Sequence, residues 1–366
     1  MFFLEINNGI MFIVRKDDEM NKLYVAIIGY GMAGRLFHLP PLLGNPMYVV
    51  KYIMTNNEQT IQELKSNYPS IEIIHQIEEA LTDQKIDLMV IATPNDVHYA
   101  YTEMSLLAGK HVVCEKPFVE SLQQANFLFE LAARQKKILR VFHNRQYDGD
   151  ILTIHELIKQ NPFGRIFSMT ARFDFYSPQV QPRWRERPGV MPGKFYDLAP
   201  HLIDHVIRLF GLPKSLQMKT YKDREGALVD DHFEMEMYYE GLTCYLGAGQ
   251  LFRNPLPRFQ IDGTNASYYK YGFDQPDVNY LDIGDSYQSS GLRSELYTSQ
   301  HEKVNIPILI GKHYLFYDKL AKDIQNNITQ DSDKSYALKV VGLMEIAKKS
   351  DQINQIIEIP QSFQKL

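Results

Sequence analysis

The chain has 366 residues, enough for two domains and a large core, and its 45% hydrophobic and 23% charged residues match those of a soluble globular protein. Its net charge of −5, without a long basic run, argues against nucleic acid as a partner. The two cysteines, Cys114 and Cys244, form no CxxC pair, as expected for reduced thiols in a cytoplasmic protein.

Residues 1–19, MFFLEINNGIMFIVRKDDE, contain two short apolar runs interrupted by charges. A signal peptide has a basic start, an unbroken apolar centre and small residues at its cleavage site, and none of these features is present. No later run approaches the ~20 apolar residues that a membrane-spanning helix needs. We therefore expect no membrane partner. We treat residues 1–19 as an extension without an assigned function, either from an upstream start or as a loose segment.

Short apolar strands then alternate with stretches of helical periodicity. Segments such as QTIQELKSNY and SLQQANFLFELAARQ lie between the strands and carry apolar residues every three or four positions. Alternation of this kind predicts βαβ units and a parallel sheet. The predicted strands are residues 23–29, 48–54, 86–92, 110–115 and 137–143.

After Gln146 the pattern changes. One more helical segment ends at the turn sequence PFG, and long alternating segments such as HFEMEMYYEGLTCYLGAGQ follow. They predict a mostly antiparallel sheet with one packed face and one face that is exposed or meets a partner. Helices are expected at residues 314–328 and 334–351. Residues 146–366 are thus predicted to form a second, α+β domain with a large mostly antiparallel sheet, which binds substrate and forms oligomers.

The first predicted strand runs into a glycine motif, GYGMAG. Gly29, Gly31 and Gly34 give the spacing G-x-G-x-x-G directly after a strand and before a helix. The first glycine permits a tight turn, the second lets a pyrophosphate approach the backbone, and the third allows close packing of helix on sheet. We therefore predict that residues 20–145 form a dinucleotide-binding Rossmann domain. The cofactor-binding residues of this loop are Gly29, Tyr30, Gly31, Met32, Ala33 and Gly34.

The end of the second predicted strand indicates which dinucleotide binds. Enzymes that use NAD present an Asp or Glu there to the ribose hydroxyls. This chain has Thr55 and Asn56 instead, and neutral groups do not repel the 2′-phosphate of NADP. We therefore expect NADP as the cofactor. NAD stays open as the alternative, because no arginine follows to bind the phosphate.

Two further strands end in polar segments, ATPNDVH and CEKPF, at the same predicted edge of the sheet. The bound dinucleotide places its nicotinamide at this edge, so Lys116 is predicted to project its ammonium beside the reactive ring. Pro117 stiffens the turn, and Glu115 can pair with Lys116 or with a ribose hydroxyl. A solvated surface lysine before a turn is the alternative. The candidate cofactor-binding residues here are Thr93, Pro94, Asn95, His98, Glu115 and Lys116.

Together these motifs resemble the glucose–fructose oxidoreductase/inositol dehydrogenase (Gfo/Idh/MocA) family. The resemblance continues through FHNRQYDGD and GKFYDLAPHLIDHVIRLFGLP. It implies a catalytic role for Lys116, a cis peptide before Pro117, and packing of sheet against sheet in a homodimer or homotetramer. The chain looks most like the NADP-dependent scyllo-inositol dehydrogenases of this family. That likeness implies reversible oxidation of a secondary alcohol on a cyclic polyol or sugar.

The segment YDLAPHLIDH supplies the second half of the predicted site. Asp197 and His201 lie four residues apart, on one face if the segment is helical, and match the family's D-x-x-x-H motif. Histidine titrates close to neutral pH, so His201 can accept the proton of a substrate hydroxyl. Lys116 can stabilise the developing negative charge or accept the proton itself, and the choice between the two bases stays open. Asp197 can orient the imidazole or bind an adjacent hydroxyl.

Three more residues are predicted to contact the substrate. Asn144 and Arg145 follow the last strand of the first domain, where the resemblance places side chains near nicotinamide and substrate. Trp184 is the only tryptophan, and its loop, SPQVQPRWRERPG, can cover a polyol so that the indole packs on the C–H face. The loop can equally be a basic, solvated one.

A metal centre is the sharpest alternative, because Asp197, His201 and His205 share a helix face and the two histidines have the spacing of zinc proteases. Residue 202 is leucine where those enzymes carry glutamate, so no metal is predicted. A reductase of the dihydrodiol or biliverdin type would share the fold but not the hydroxyl contacts. A non-catalytic NADP sensor would keep the glycine loop and would not need Lys116, Asp197 and His201.

Overall fold

The computed structural model describes residues 2–7, 10–15, 22–273, 292–328 and 331–366. These residues form two large sheets and a short hairpin. The hairpin consists of the antiparallel strands β1 (Phe2–Asn7) and β2 (Ile10–Arg15), within the extension to which the sequence assigns no function.

The first sheet consists of the parallel strands β3 (Leu23–Ile28), β4 (Tyr48–Met54), β5 (Glu72–Ile74), β6 (Leu88–Ile91), β7 (His111–Cys114) and β8 (Leu139–Val141). They lie in the order β5-β4-β3-β6-β7-β8, so the chain changes its direction of progress across the sheet between β3 and β6. Dinucleotides bind at such a switch point. The strands are continuous apolar runs because helices cover both faces.

Helices follow the strands of this sheet. A π-helical turn (Gly34–His38) leads into α1 (Leu39–Leu43), and α2 (Glu58–Asn67), α3 (Ile77–Thr82), α4 (His98–Leu107) and α5 (Leu122–Arg134) come next along the chain. Side chains fix two of the starts: Asn57 accepts the N–H of Thr60 in α2, and Ser121 accepts that of Gln124 in α5. A cap of this kind contributes ~1 kcal/mol. In this element order, α4 follows the polar segment that ends β6, and α5 follows the one that ends β7.

The second domain contains the second sheet and the helices that pack on it. Its elements are α6 (Gly149–Gln160), β9 (Ile166–Asp174), α7 (Gly193–Phe210), β10 (Ser215–Tyr221), β11 (His232–Tyr238), β12 (Thr243–Gly249), β13 (Phe259–Gly263), β14 (Ala266–Tyr271), β15 (Arg293–Thr298), β16 (Lys303–Asn305) and β17 (Ile357–Glu358). The order is β16-β15-β14-β13-β9-β12-β11-β10-β17, and neighbours are antiparallel except β9 and β12. The predicted fold class, a Rossmann domain followed by an α+β domain with a mostly antiparallel sheet, is confirmed.

One face of this sheet packs on α6 and α7. Along β11, for example, Phe233, Met235 and Met237 are buried, while the residues between them point to the outer face. Full burial of a side chain of this size contributes roughly 1.5–3 kcal/mol. The packing matters for function because α7, which lies in the same core, carries the predicted site residues Asp197 and His201.

The last two helices connect the domains. The sequence assigns α8 (Leu315–Gln325) to the second domain, but its residues Phe316, Tyr317 and Leu320 are buried in the same core cluster as β3 of the first sheet. The longer α9 (Asp331–Ile353) contacts α5 of the first domain and both α7 and β10 of the second. The end of the chain therefore holds the two domains together.

The structure also describes the cysteines, the helix lengths and the possible groups of metal ligands. Both cysteines are free and buried, Cys114 in β7 and Cys244 in β12. In the part of the chain that the structure describes, no helix is both long and apolar enough to cross a membrane. Within the same residues, no group of three or more His, Cys, Asp or Glu side chains is placed to hold a metal ion.

Candidate active site

The glycine loop is open at one position and filled by protein at the other two. A Cβ atom on Gly29 would lie 2.5 Å from the carbonyl oxygen of Ala92, and one on Gly34 would lie 2.5 Å from the oxygen of Gly29. Gly29 also has a φ of 97°, a conformation that favours glycine. A Cβ on Gly31 would meet no described atom within 4 Å. The loop therefore fits a dinucleotide whose phosphates approach at Gly31.

The helix after this loop begins as a π-helical turn instead of a regular α-helix. Pro40 and Pro41 have no N–H, so the carbonyl groups four residues before them lose their α-helical donors. The N–H of Leu39 reaches back to the oxygen of Gly34. In the loop itself Tyr30 and Ala33 are half-buried and Met32 is exposed.

The end of β4 forms the corner that the sequence connects with the choice of cofactor. Thr55 Oγ1 accepts the N–H of Asn57 at 3.3 Å, which holds the corner in a turn. Asn56 Oδ1 lies 3.0 Å from Nδ1 of His75, which follows β5. Sequence reasoning missed His75 because it did not predict β5. A prediction of β5 beside β4 would have placed His75, which directly follows β5, next to Asn56.

A buried histidine locks the end of β6 to the loop after β7. Only 1% of the surface of His98 is exposed, and its nitrogens face two carbonyl oxygens, that of Pro117 at 2.8 Å and that of Thr93 at 3.1 Å. Burial would lower the pKa of His98, but the Cys114 side chain and the two carbonyl groups raise it to about 9. The imidazolium thus donates both hydrogen bonds, and both nitrogens are engaged with the protein.

The other residues of the β6 segment face the boundary between the domains. The Thr93 hydroxyl is buried and has no hydrogen-bond partner among the described residues. Asn95 donates from Nδ2 to the carbonyl oxygen of Met191 at 2.9 Å, shortly before α7 begins. Pro94 lines a cavity between the domains.

Lys116 reaches from the first domain to the first turns of α7. The bond between Lys116 and Pro117 is cis, as the family resemblance implies. Lys116 Nζ donates to the backbone oxygen of Asp197 at 2.7 Å and to its Oδ1 at 3.1 Å. The fold therefore brings two predicted site residues, which are far apart in sequence, into direct contact across the domain boundary.

Asp197 lies among three cations. In addition to Lys116, Lys194 Nζ lies 3.4 Å from Oδ2 of Asp197, and Arg185 Nε lies 3.7 Å from Oδ1. Burial alone would raise the pKa of the Asp197 carboxyl, but these positive charges hold it well below its usual range. Sequence reasoning missed Lys194 and Arg185. The i, i+3 spacing of Lys194 and Asp197 was a usable signal, whereas Arg185 lies in an irregular loop.

His201 lies one helical turn after Asp197, and 5% of its surface is exposed. Burial lowers its pKa well below the usual histidine range, and the charges of Lys116 and Arg145 lower the pKa further. Its Nδ1 has no hydrogen-bond partner among the described residues. The imidazole is therefore neutral at physiological pH and can accept a proton.

His205, one turn further along, forms a structural contact. Its Nε2 donates to the backbone oxygen of Arg145 at 3.1 Å, which links α7 to the turn after β8. Burial, followed by the charge of Arg258, lowers the pKa of His205 to about 3. In that turn Asn144 is buried, and the Arg145 guanidinium binds Asp148 at 2.9 Å. The turn that presents Asn144 and Arg145 is thus held from two sides.

Trp184 lines a cavity of about 560 Å³ between the domains. The indole is 37% exposed, and the Arg185 guanidinium lies 4.3 Å from the centre of its ring. A cavity of this size can hold a small organic ligand. Its walls are formed by Pro94, Asp96, Pro182, Trp184, Arg187, Pro188, Gly189, Val190 and Pro192.

Glu115 faces the interior of the first domain. Its Oε2 accepts the backbone N–H of Lys116 at 3.0 Å, and its Oε1 lies 3.1 Å from Nε2 of His38. The sequence predicts that Glu115 pairs with the Lys116 side chain or with a ribose hydroxyl. In the structure Glu115 instead contacts the backbone N–H of Lys116 with one oxygen and the buried His38 with the other.

Comparison with known proteins agrees with this geometry. Residues 23–143 match the NAD-binding Rossmann fold and residues 155–359 match the C-terminal alpha/beta domain of the Gfo/Idh/MocA oxidoreductase family. The chain is 31% identical to the scyllo-inositol 2-dehydrogenase (NADP(+)) IolW of Bacillus subtilis, over 93% of this chain and 96% of that one.

Solved structures give the same result. The oxidoreductase yvaA of Bacillus subtilis superposes with a TM-score of 0.85 at 32% identity and covers 93% of this chain and 99% of its own. KijD10, a 3-ketoreductase of Actinomadura kijaniata solved with NADP, shares the fold with a TM-score of 0.75 at 18% identity, over 90% of this chain and 98% of its own. Because the family models match both domains, this chain belongs to the Gfo/Idh/MocA family and is an NAD(P)-dependent oxidoreductase.

Proposed function

We propose that this enzyme oxidises a secondary alcohol on a cyclic polyol or sugar, with NADP as the cofactor and scyllo-inositol as the substrate. The contact of Lys116 with Asp197, one helical turn before the neutral His201, carries the proposal. Oxidation of an alcohol needs a donor to the developing oxyanion, an acceptor for the hydroxyl proton and a group that fixes the neighbouring hydroxyl. These three side chains supply them. The relative named for scyllo-inositol supports the choice of substrate.

Lys116 and His201 act together on the reacting hydroxyl. Lys116 Nζ donates a hydrogen bond to its oxygen and stabilises the negative charge that develops there. His201 accepts the proton at a ring nitrogen, and Asp197 holds the ammonium and binds an adjacent hydroxyl. A bound nicotinamide cofactor would supply the acceptor for the hydride that leaves the carbon carrying this oxygen.

The low pKa of His201 is compatible with this role. Part of the shift comes from the positive charge of Lys116. An oxyanion forming beside Lys116 offsets that charge, so the imidazolium becomes more stable as the proton moves. Lys116 is less suited as the base because it already acts as a donor, to two oxygens of Asp197.

We assign Asn144, Arg145 and Trp184 to substrate binding. Trp184 lines the cavity between the domains and offers an apolar ring face to the C–H face of a polyol. Asn144 and Arg145 lie in the turn to which His205 ties α7. The substrate would therefore lie between this turn, the Lys116 loop and the Trp184 loop.

The preference for NADP is supported by the corner at Thr55 and Asn56. The two side chains are neutral, and Asn56 is hydrogen-bonded to His75. A carboxylate at this position would repel a 2′-phosphate, whereas an amide can donate to it. The relative IolW carries NADP(+) in its name.

We also propose a cytoplasmic homodimer or homotetramer in which the outer faces of the second sheets meet. Tyr245 and Tyr297, on that face, are 40% and 37% exposed, and tyrosine is enriched at protein interfaces. Light scattering coupled to size-exclusion chromatography tests this assembly, and a monomer at micromolar concentration would contradict it.

Absorbance at 340 nm with the purified protein tests the function. The panel contains scyllo-inositol, myo-inositol and aldoses, each with NADP and with NAD, together with an aromatic dihydrodiol with NADP and biliverdin with NADPH. We expect the highest kcat/KM for scyllo-inositol with NADP. Turnover of the dihydrodiol or of biliverdin alone would replace the polyol by a non-sugar substrate. Binding of NADPH without any turnover would favour a sensor.

A further inference from the structure

A buried hydrogen-bonded network lies directly behind the Lys116 loop. The Glu115 carboxylate contacts the Lys116 N–H through Oε2 at 3.0 Å and His38 Nε2 through Oε1 at 3.1 Å. The other ring nitrogen of His38 lies 2.6 Å from the hydroxyl of Tyr317. Only 7% of Glu115 is exposed, and His38 and Tyr317 are 0% exposed. The network is thus shielded from solvent.

The network joins three segments that are distant in sequence. His38 ends the π-helical turn after the glycine loop, Glu115 precedes Lys116, and Tyr317 lies in α8 near the end of the chain. Phe142 packs on the His38 ring, with the ring centres 4.2 Å apart. The position of the His38 ring is therefore fixed from three sides.

The direction of each hydrogen bond follows from the chemistry of the groups. The Glu115 carboxylate accepts, so His38 donates from Nε2. When the imidazole is neutral, Nδ1 then accepts from the Tyr317 hydroxyl. Every link has a partner within the protein, and a fully satisfied buried network is rigid.

We propose that His38 and Tyr317 are positioning residues, which hold Glu115 so that the Lys116 loop and the glycine loop keep a fixed relative position. The inference rests on the catalytic role proposed above for Lys116. Glu115 transmits the constraint because its two oxygens contact the Lys116 backbone and the end of the π-helical turn. Hydride transfer is sensitive to the distance between Lys116, the substrate and the nicotinamide, so a small shift of one loop slows the reaction.

Charges around Glu115 agree with this arrangement. Burial would raise the pKa of the Glu115 carboxyl, but the hydrogen bond from His38, the charge that His38 carries when protonated and the charge of Lys116 hold it below its usual range. His143 and Tyr317 are the other titratable groups that face it. Without His38 the pKa of Glu115 rises, so Glu115 takes up a proton at higher pH. The acid limb of the kcat/KM profile then moves to higher pH.

Tyr317→Phe and Tyr48→Phe form a matched pair for the test. The Tyr48 hydroxyl donates to the backbone oxygen of Tyr317 at 2.8 Å, so its loss removes a buried hydrogen bond from the same cluster and leaves His38 and Glu115 untouched. We expect both variants to lower Tm by a similar amount. Tyr317→Phe should lower kcat about tenfold and weaken NADPH binding, measured by NADPH fluorescence, about threefold. Tyr48→Phe should leave both within about twofold of wild type.

A second pair replaces His38 itself. The side-chain amide of His38→Gln can still donate to Glu115, whereas His38→Leu cannot. We expect kcat of His38→Gln within about threefold of wild type, and a loss of about thirtyfold with a displaced acid limb in His38→Leu. Hydrogen exchange of the full-length protein without cofactor should show faster exchange of the Lys116 amide in His38→Leu and in Tyr317→Phe.

Equal loss of kcat in the two tyrosine variants, in proportion to their loss of Tm, would overturn the inference. So would an unchanged acid limb and unchanged Lys116 exchange in His38→Leu. Failure of the proposed function is recognised separately: Lys116→Ala would remain active if Lys116 is not catalytic, and the wild-type protein would show no turnover if it is a sensor. The binding and exchange measurements need no turnover and judge the network in either case.

Discussion

The two halves of the site differ in the hydrogen bonding of their buried polar groups. One half is the loop that carries Lys116, and the other is the face of α7 that carries His201 and His205. On the loop side, both ring nitrogens of His98 and both carboxylate oxygens of Glu115 have partners within the protein. On the α7 face, Nδ1 of His201 and Nδ1 of His205 have none among the described residues. His98 and Glu115 are thus fully hydrogen-bonded on the loop side, whereas His201 and His205 on the α7 face keep ring nitrogens that can accept protons.

The charge states of the histidines show the same contrast. The Cys114 side chain and two carbonyl acceptors raise the pKa of His98 to about 9, against the effect of burial. Burial and the charge of Arg258 instead lower the pKa of His205 to about 3. One side of the site therefore uses a cationic histidine to hold the loops, and the other keeps neutral histidines on a buried helix.

The largest expected effect tests whether proton acceptance belongs to the α7 face. His201→Gln keeps a polar side chain but cannot accept the hydroxyl proton, so kcat should fall about 10²–10³-fold with NADPH affinity unchanged. In the control His205→Gln, the amide can still donate to Arg145, and kcat should fall less than about tenfold. Similar losses in both variants would mean that His201 acts through packing.

The next effect tests whether the cofactor phosphates approach the glycine loop at Gly31. Gly31→Val adds a side chain whose Cβ would meet no described atom within 4 Å, so we expect Tm within about 2 °C of wild type. NADPH should bind at least about tenfold more weakly, because the phosphates approach at this residue. Gly34→Ala is the control: its Cβ would lie 2.5 Å from the Gly29 oxygen, so it should lower Tm. A Gly31→Val protein with wild-type affinity would contradict the assignment.

Cofactor choice comes third. Asn56→Asp introduces a carboxylate at the end of β4, which repels a 2′-phosphate and can bind ribose hydroxyls. The ratio of kcat/KM for NADP to that for NAD should fall about tenfold or more. Asn56→Ser, which stays neutral, is the matched control. A wild-type enzyme that prefers NAD from the outset would show that the reading of Thr55 and Asn56 is wrong.

The smallest effect uses pH to separate the two sides. The pKa of His98 is higher in the folded than in the unfolded protein, so its contribution to stability is complete below about pH 6.5 and is lost as pH rises through about 9. The pKa of His205 is lower when folded, so stability is lost as pH falls from about 6.5 towards about 3. Each slope reaches at most about 1.4 kcal/mol per pH unit.

Urea unfolding at a series of pH values measures both slopes. His98→Gln should flatten the alkaline loss of the free energy of unfolding, and His205→Gln should flatten the acidic loss. A variant that changes stability equally at every pH would show that its histidine does not titrate as described.

Sequence reasoning predicted the parts of the molecule that depend on local pattern. The glycine spacing, the continuous apolar strands and the helix that carries Asp197 and His201 each follow from the period of one element. Contacts between side chains of different elements could not be predicted from the sequence. Nothing near His38 in sequence points to Glu115 or Tyr317, because the network exists only once α8 packs on the first sheet.

The substrate side shows the same limit. The i, i+3 spacing of Lys194 and Asp197 could have predicted their contact. Arg185 lies in an irregular loop whose path is set by tertiary contacts, so its contact with Asp197 could not be predicted. Arg224, for example, binds Glu186 of that loop at 3.1 Å from a different part of the chain. Loop side chains decide substrate choice, so the family was easier to predict than the substrate.

The central claim is that Lys116 acts on the reacting oxygen. Stopped-flow measurement of hydride transfer at 340 nm in Lys116→Ala, with NADPH affinity determined on the same protein, tests it most directly. We predict that the rate falls at least about a hundredfold while NADPH affinity stays within about threefold of wild type. A transfer rate within about tenfold of wild type would contradict the account.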